Sequence, residues 1–177
     1  LWIIPTVGCV NTIAQTLAQW ANTQDFEGID RCLPLTHPLG CSQEGLDLAQ
    51  TRALLAALAQ HPNAGGVLII ALGCEENQVD ALLSHIPAHI PIQVLRCQDT
   101  EDELTEGKKQ LTLLSQMAKA RRSPQPLSAL NLALKCGGSD GFSGLTANPL
   151  LGCLADWVNE AGGTTFLSEV PEMFGAE

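Results

Sequence analysis

The stretch Val67-Leu68-Ile69-Ile70-Ala71-Leu72-Gly73-Cys74-Glu75-Glu76-Asn77 sets an unbroken apolar run directly against a glycine, a cysteine and polar residues. An apolar run with branched members and no polar alternation reads as a strand buried on both faces, as in a parallel sheet covered by helices on each side. The same order of signals recurs along the chain. Trp2 to Val7 is closed by Gly8-Cys9-Val10-Asn11, Ile29 to Thr36 by His37-Pro38-Leu39-Gly40-Cys41-Ser42-Gln43, and Ala129 to Leu134 by Lys135-Cys136-Gly137-Gly138-Ser139-Asp140. Ile90 to Arg96 and Thr164 to Ser168 read as further strands.

Helical signals fill the intervals. Asn11 is placed to cap a helix over Thr12 to Asn22, and Ser42 or Gln43 opens one through Gln60 with Leu46, Leu48, Ala49, Leu54, Leu55 and Leu58 as its apolar stripe. Glu76 to His85 and Leu150 to Val158 read as shorter helices. Asp99 or Thr100 is placed to cap the longest, which runs to Arg121 with Glu101, Asp102 and Glu103 in its first turn and Lys119, Arg121 and Arg122 in its last, the charge order the helix dipole favours. This alternation predicts an α/β fold: a doubly wound, mainly parallel sheet of about six strands with helices on both faces, a Rossmann-like three-layer arrangement. Residues 1–177 read as one domain, with Pro124 to Pro126 a hinge too short to be a linker. Because it opens inside a strand at Leu1 and stops at Glu177, the chain reads as a fragment of a longer protein.

Composition narrows the partners. Net charge is −10 with a pI near 4.7, and the basic residues are scattered, which argues against nucleic acid. No apolar run approaches the roughly 18 to 20 residues that span a bilayer, and no signal-peptide pattern opens the chain, so no membrane is expected and the cytoplasm is the default compartment. Seven cysteines are an odd count in a chain with ample apolar content, which favours metal binding or catalysis over a disulfide framework. Cys32, Cys97 and Cys153 sit in apolar periodic segments and read as small core residues. Cys9, Cys41, Cys74 and Cys136 each adjoin glycine at a strand end, and in a parallel sheet those ends share one edge.

Thiolates suit iron, zinc or an iron–sulfur cluster better than magnesium or calcium. The four strand-end cysteines are therefore the candidate metal ligands. None has the C-x-x-C spacing of a compact zinc knuckle, so a site requires them to converge in space. His37, in a glycine loop four residues before Cys41, is a candidate proton-transfer group; the alternative is a loop histidine bonded to backbone. Asp140 is a candidate base or ligand, with capping of backbone amides as its alternative. Glu75 and Glu169 are further acid/base candidates. Asn11, Ser139, Ser143, Thr146 and Asn148 are candidate binders of substrate hydroxyls, the amides of Gly137 and Gly138 a candidate cradle for a carboxylate, and Lys135 its candidate counter-charge.

The segments Pro5 to Asn11, His37 to Gln43, His61-Pro62-Asn63-Ala64-Gly65-Gly66, Leu72 to Glu75, Lys135 to Asp140, Thr146 to Pro149 and Gly163 to Glu177 together resemble the altronate and galactarate dehydratase family. Gly141 stands where that pattern has alanine, and Leu39 where it has an aromatic residue. The resemblance implies a hydro-lyase that dehydrates a sugar acid, altronate foremost, to 2-dehydro-3-deoxygluconate; galactarate or a sulfonated hydroxy acid is the alternative substrate. It also implies iron, as Fe²⁺ or a cluster with manganese as the alternative ion, and further N- and C-terminal regions of the same chain as partners. A homodimer is kept among the partners. A scaffold or dimerisation domain, with the acid and base outside this fragment, is the competing reading.

Overall fold

In the computed structural model, residues 1–118, 123–135 and 140–169 are described. The chain divides into two compact units, Leu1–Arg121 and Arg122–Glu177, where the sequence reads as one domain.

The first unit is built on four parallel strands, β1 (Trp2–Pro5), β2 (Leu33–Pro34), β3 (Val67–Ala71) and β4 (Ile92–Arg96), in the order β2-β1-β3-β4. Register pairs Trp2 with Val67 and Pro5 with Ile70, while Val67 faces Ile92 and Ala71 faces Arg96. Four helices follow the strands: α1 (Asn11–Ala21), α2 (Gly45–Ala59), α3 (Val79–Leu83) and α4 (Glu103–Met117). Every residue of β3 is buried, as its uninterrupted apolar run requires. Alternate side chains go to opposite faces. Ile3, Leu68, Ile70 and Leu95 pack with Leu17 and Ala18 of α1 and Leu111 and Leu114 of α4. Ile4, Val67, Ile69 and Ala71 pack with Leu55, Ala56 and Ala59 of α2 and Val79 and Leu82 of α3. Each fully buried aliphatic of this kind contributes about 1.5–3 kcal/mol, which makes the two faces the main support of the unit.

Local details depart from the sequence expectations. The buried side of α2 is Thr51, Leu55, Ala56 and Ala59, whereas Leu46 and Leu54 are 78% and 56% exposed. Asn11 begins α1 without capping it and turns its amide to the backbone of His37. Residues Cys97–Asp99 form a 3-10 turn, so the cap of α4 shifts to Asp102, whose carboxylate accepts from Leu104 N and Thr105 N at 3.0 Å.

The second unit holds β5 (Asn131–Leu134), α5 (Ala147–Glu160) and β6 (Thr164–Leu167), with β5 and β6 paired in parallel. The expected six-stranded sheet is thus a four-stranded sheet and a separate pair. Val158 is the buried hydrophobic residue of this unit among the described residues, and Phe142, Leu145, Leu150, Trp157, Phe166 and Leu167 are exposed. Among the described residues no helix is long and apolar enough to cross a membrane.

Candidate functional site

The strand order reverses between β1 and β3, and in open α/β sheets the crevice beyond the carboxyl ends of the strands at such a reversal is where ligands bind. Thr6 follows β1 there and Leu72 to Asn77 follow β3. Thr6, fully buried, donates its hydroxyl to Glu75 Oε1 at 2.5 Å. Glu75 also accepts from Leu72 N at 3.2 Å and Gly73 N at 2.6 Å. This carboxylate is 5% exposed and closes the turn after β3 onto the end of β1. Asn77, fully buried, donates Nδ2 to Thr6 O at 3.3 Å and accepts from Arg52 Nε at 3.2 Å through Oδ1.

The loop after β2 folds onto the same edge. Gly8 N donates to Leu39 O at 2.8 Å, and Gly40 sits so close to β1 that a Cβ would stand 2.4 Å from Thr6 O, at a backbone φ of +102° that L side chains rarely adopt. Only glycine fits that contact. His37 is half-buried, and both of its ring nitrogens are engaged. Nδ1 accepts from Leu39 N at 3.1 Å, which leaves Nε2 as the protonated nitrogen that donates to Pro5 O at 2.8 Å. Asn11 Nδ2 donates to His37 O at 2.8 Å, so its amide is committed to the loop.

Cys9, Cys41 and Cys74 are exposed and follow β1, β2 and β3, so the parallel sheet places all three at its carboxyl edge. Among the described residues no three His, Cys, Asp or Glu side chains lie together to hold a metal ion. The three thiols are chemically suited to iron but do not gather into a site by themselves. Cys136, Gly137, Gly138 and Ser139 lie outside the described residues, as do Lys119, Arg121 and Arg122. Cys32 and Cys97 behave as small core residues: burial pushes the Cys32 thiol up to about 11, and burial with the charges of Glu103 and Glu75 does the same for Cys97. Cys153 is exposed, against its expected place in a core.

In the second unit, Asp140 accepts from Phe142 N at 3.0 Å and its carbonyl accepts from Ser143 Oγ at 2.8 Å, the capping arrangement kept as its alternative role. Thr146 Oγ1 donates to Phe142 O at 2.8 Å. An open cavity of about 550 Å³ lies along α5 and β6; it brings together Lys135, Asn148 and Glu169, with Asp156, Asn159 and Ser168 as further polar lining. Lys135 Nζ pairs with Glu169 Oε1 at 3.1 Å across that lining.

Residues 1–119 match the family described as D-galactarate dehydratase/altronate hydrolase, second domain. The chain belongs to this family. Residues 127–177 match the D-galactarate/altronate dehydratase C-terminal domain, so the boundary between the two matches falls where the structure divides into units. The family member altronate dehydratase of Escherichia coli (strain K12) is 48% identical over the whole chain, and that of Bacillus subtilis (strain 168) is 47% identical over the whole chain. The galactarate dehydratase (L-threo-forming) of Escherichia coli (strain K12) is 36% identical over 66% of the chain and 24% of its own length. The chain spans 37% of the length of the two altronate dehydratases. No solved structure matches it.

Within this family chain, sequence reasoning did not single out Thr6, Arg52 or Asn77. A threonine after a strand, an arginine inside an amphipathic helix and an asparagine behind two glutamates each look like ordinary polar residues. The signal that finds them is the strand order, which brings the ends of β1 and β3 together, and no local pattern carries it.

Proposed function

We propose that this chain is the central part of a longer cytoplasmic sugar-acid dehydratase that converts D-altronate to 2-dehydro-3-deoxy-D-gluconate. The observation that carries this reading is the correspondence with altronate dehydratases along the entire chain, against a match over two thirds of it with the galactarate enzyme. In such a reaction the proton beside the carboxylate is removed, the hydroxyl on the next carbon departs as water, and the resulting enol tautomerises to the 2-keto-3-deoxy acid. The site must meet the charge that grows on the carboxylate oxygens, take one proton and give another.

The three acid/base candidates differ in what their engagement with substrate would cost. Releasing Glu75 strands two amides and leaves the buried Thr6 hydroxyl only its longer bond to Ile70 O at 3.3 Å, and each orphaned buried group costs about 1–3 kcal/mol. Glu75 is therefore assigned to holding the crevice closed at its base. His37 has to give up the Pro5 carbonyl, and Asp140 an amide in an exposed turn. These two are the proposed proton-transfer groups. Asn148, Ser143 and Thr146, with Gly137, Gly138 and Ser139, are proposed to bind the acid's hydroxyls, while Lys135 is held by its pair with Glu169 at 3.1 Å.

Iron belongs to the proposal on donor chemistry, with Cys9, Cys41, Cys74 and Cys136 as the thiols offered to it. Bound there, such an ion supplies Lewis-acid polarisation of carboxylate oxygens. The experiment is turnover of the full-length protein, prepared anaerobically with its metal content measured, on a panel of aldonic and aldaric acids. Preferential formation of a 2-keto-3-deoxy acid from altronate supports the reading, a preference for galactarate or sulfolactate replaces the substrate, and no turnover of any acid overturns it.

A further inference from the structure

A dianionic or monoanionic sugar acid approaching a chain with nineteen acidic and nine basic residues needs a cation set aside for it. Most described cations of the first unit have other places. Arg96 pairs with Asp80 at 2.8 Å, Lys109 with Glu106 at 3.3 Å, Lys108 lies over the Trp20 ring at 5.9 Å, and Arg31 precedes β2 at the opposite edge of the sheet.

Arg52 differs. It projects from α2 to the carboxyl edge, where its Nε donates to Asn77 Oδ1 at 3.2 Å. Asn77 is fully buried and is itself held by Thr6 O, so the guanidinium is fixed along one edge by a rigid and uncharged partner. Among the described residues its two amino groups make no hydrogen bond or ion pair, and Glu75, the acid nearest in the network, spends its oxygens on Thr6, Leu72 and Gly73. A half-buried arginine oriented by a neutral amide keeps its full charge and donors for an incoming anion, and its planar fork matches a carboxylate.

The geometry points to Arg52 as the residue that binds the carboxylate of the hydroxy-acid substrate. This rests on the sugar-acid reading above and names the group that recognises the acid. Its charge lies where the carboxylate oxygens gain negative charge as the neighbouring proton leaves, so it serves binding and rate together. Asn77 is the positioning residue that aims it.

The test is calorimetric titration of the full-length protein with altronate and with altronamide, its uncharged primary amide, for the native protein and for Arg52→Gln and Arg52→Lys. The native protein should favour the acid over the amide. Arg52→Gln should weaken acid binding by about 10²-fold and abolish that preference, whereas Arg52→Lys, which keeps the charge without the fork, should lose about tenfold. A purely structural Arg52 would lower the melting temperature and leave the acid-over-amide preference intact, which overturns the inference. So does failure of the native protein to bind altronate. Binding that depends on Arg52 without any turnover retains the inference and removes the dehydratase reading; turnover that is indifferent to Arg52 does the reverse.

Discussion

The Thr6 hydroxyl meets the Glu75 carboxylate at 2.5 Å, and this bond ties the end of β1 to the turn that follows β3. Both residues are buried, so the pair is the base of the crevice and not its lining. Thr6→Val removes the hydroxyl at nearly constant volume and should cost about 1–3 kcal/mol in denaturant unfolding. Glu75→Gln should lower the melting temperature, with activity falling only as the folded fraction falls. A large loss of kcat at unchanged stability would instead make Glu75 a reacting group.

Two glycines should respond in opposite directions to the same substitution. Gly107 of α4 lies against α1, and a Cβ there would stand 2.4 Å from Leu17 Cδ1 and 3.2 Å from Leu95 Cδ2 in the core. Gly107→Ala should therefore destabilise by about 1–3 kcal/mol through overpacking. Around Gly141 a Cβ meets nothing within 4 Å and the backbone is not left-handed. Gly141→Ala should raise stability by about 0.4–1 kcal/mol by restricting the unfolded chain. Chemical denaturation of both variants checks the pair.

The thiols should sort by burial. Cys9, Cys41, Cys74 and Cys153 are exposed and should alkylate rapidly at neutral pH, while the half-buried Cys97 should react more slowly and the buried Cys32 only on unfolding. The same burial gives a pH dependence. In the unfolded chain these two thiols ionise near their ordinary value of 9.0, but in the fold near 11. Between those values the unfolded state has lost protons that the folded state keeps, so stability is full below pH 9 and declines as pH rises toward 11. Cys32→Ala with Cys97→Ala should flatten that decline in melting temperature against pH.

Much of the secondary structure was legible because periodicity reports how each segment is buried. Val67 to Ala71 has apolar residues on both faces, and only a central strand can use them. Sheet membership was not legible, because the pattern of Asn131 to Leu134 and Thr164 to Leu167 says strand without saying which strand lies beside it. The helix starts moved for a local reason: Asn11 found a better acceptor and donor pair in the His37 backbone, and the turn over Cys97–Asp99 delayed α4. The chemistry of His37 and of Asp140 was visible as residue type, but not the backbone groups that each holds. Arg52 and Asn77 were invisible because their meaning depends on strands far apart in sequence.

His37 and Asp140 can be separated by substitution in the full-length protein. If either transfers a proton, His37→Asn or Asp140→Asn should cut turnover by roughly 10²- to 10⁴-fold with the fold intact. An Asp140 that only caps its turn keeps an acceptor as asparagine and should retain near-normal turnover. Melting temperature and metal content of each variant distinguish loss of chemistry from loss of structure.

The proposed dehydration is read most directly by proton NMR of D-altronate incubated with the full-length protein in D₂O. The account predicts conversion to 2-dehydro-3-deoxy-D-gluconate carrying one solvent deuteron at C3, delivered when the enol tautomerises. Altronate that persists unchanged under anaerobic, iron-replete conditions would contradict it.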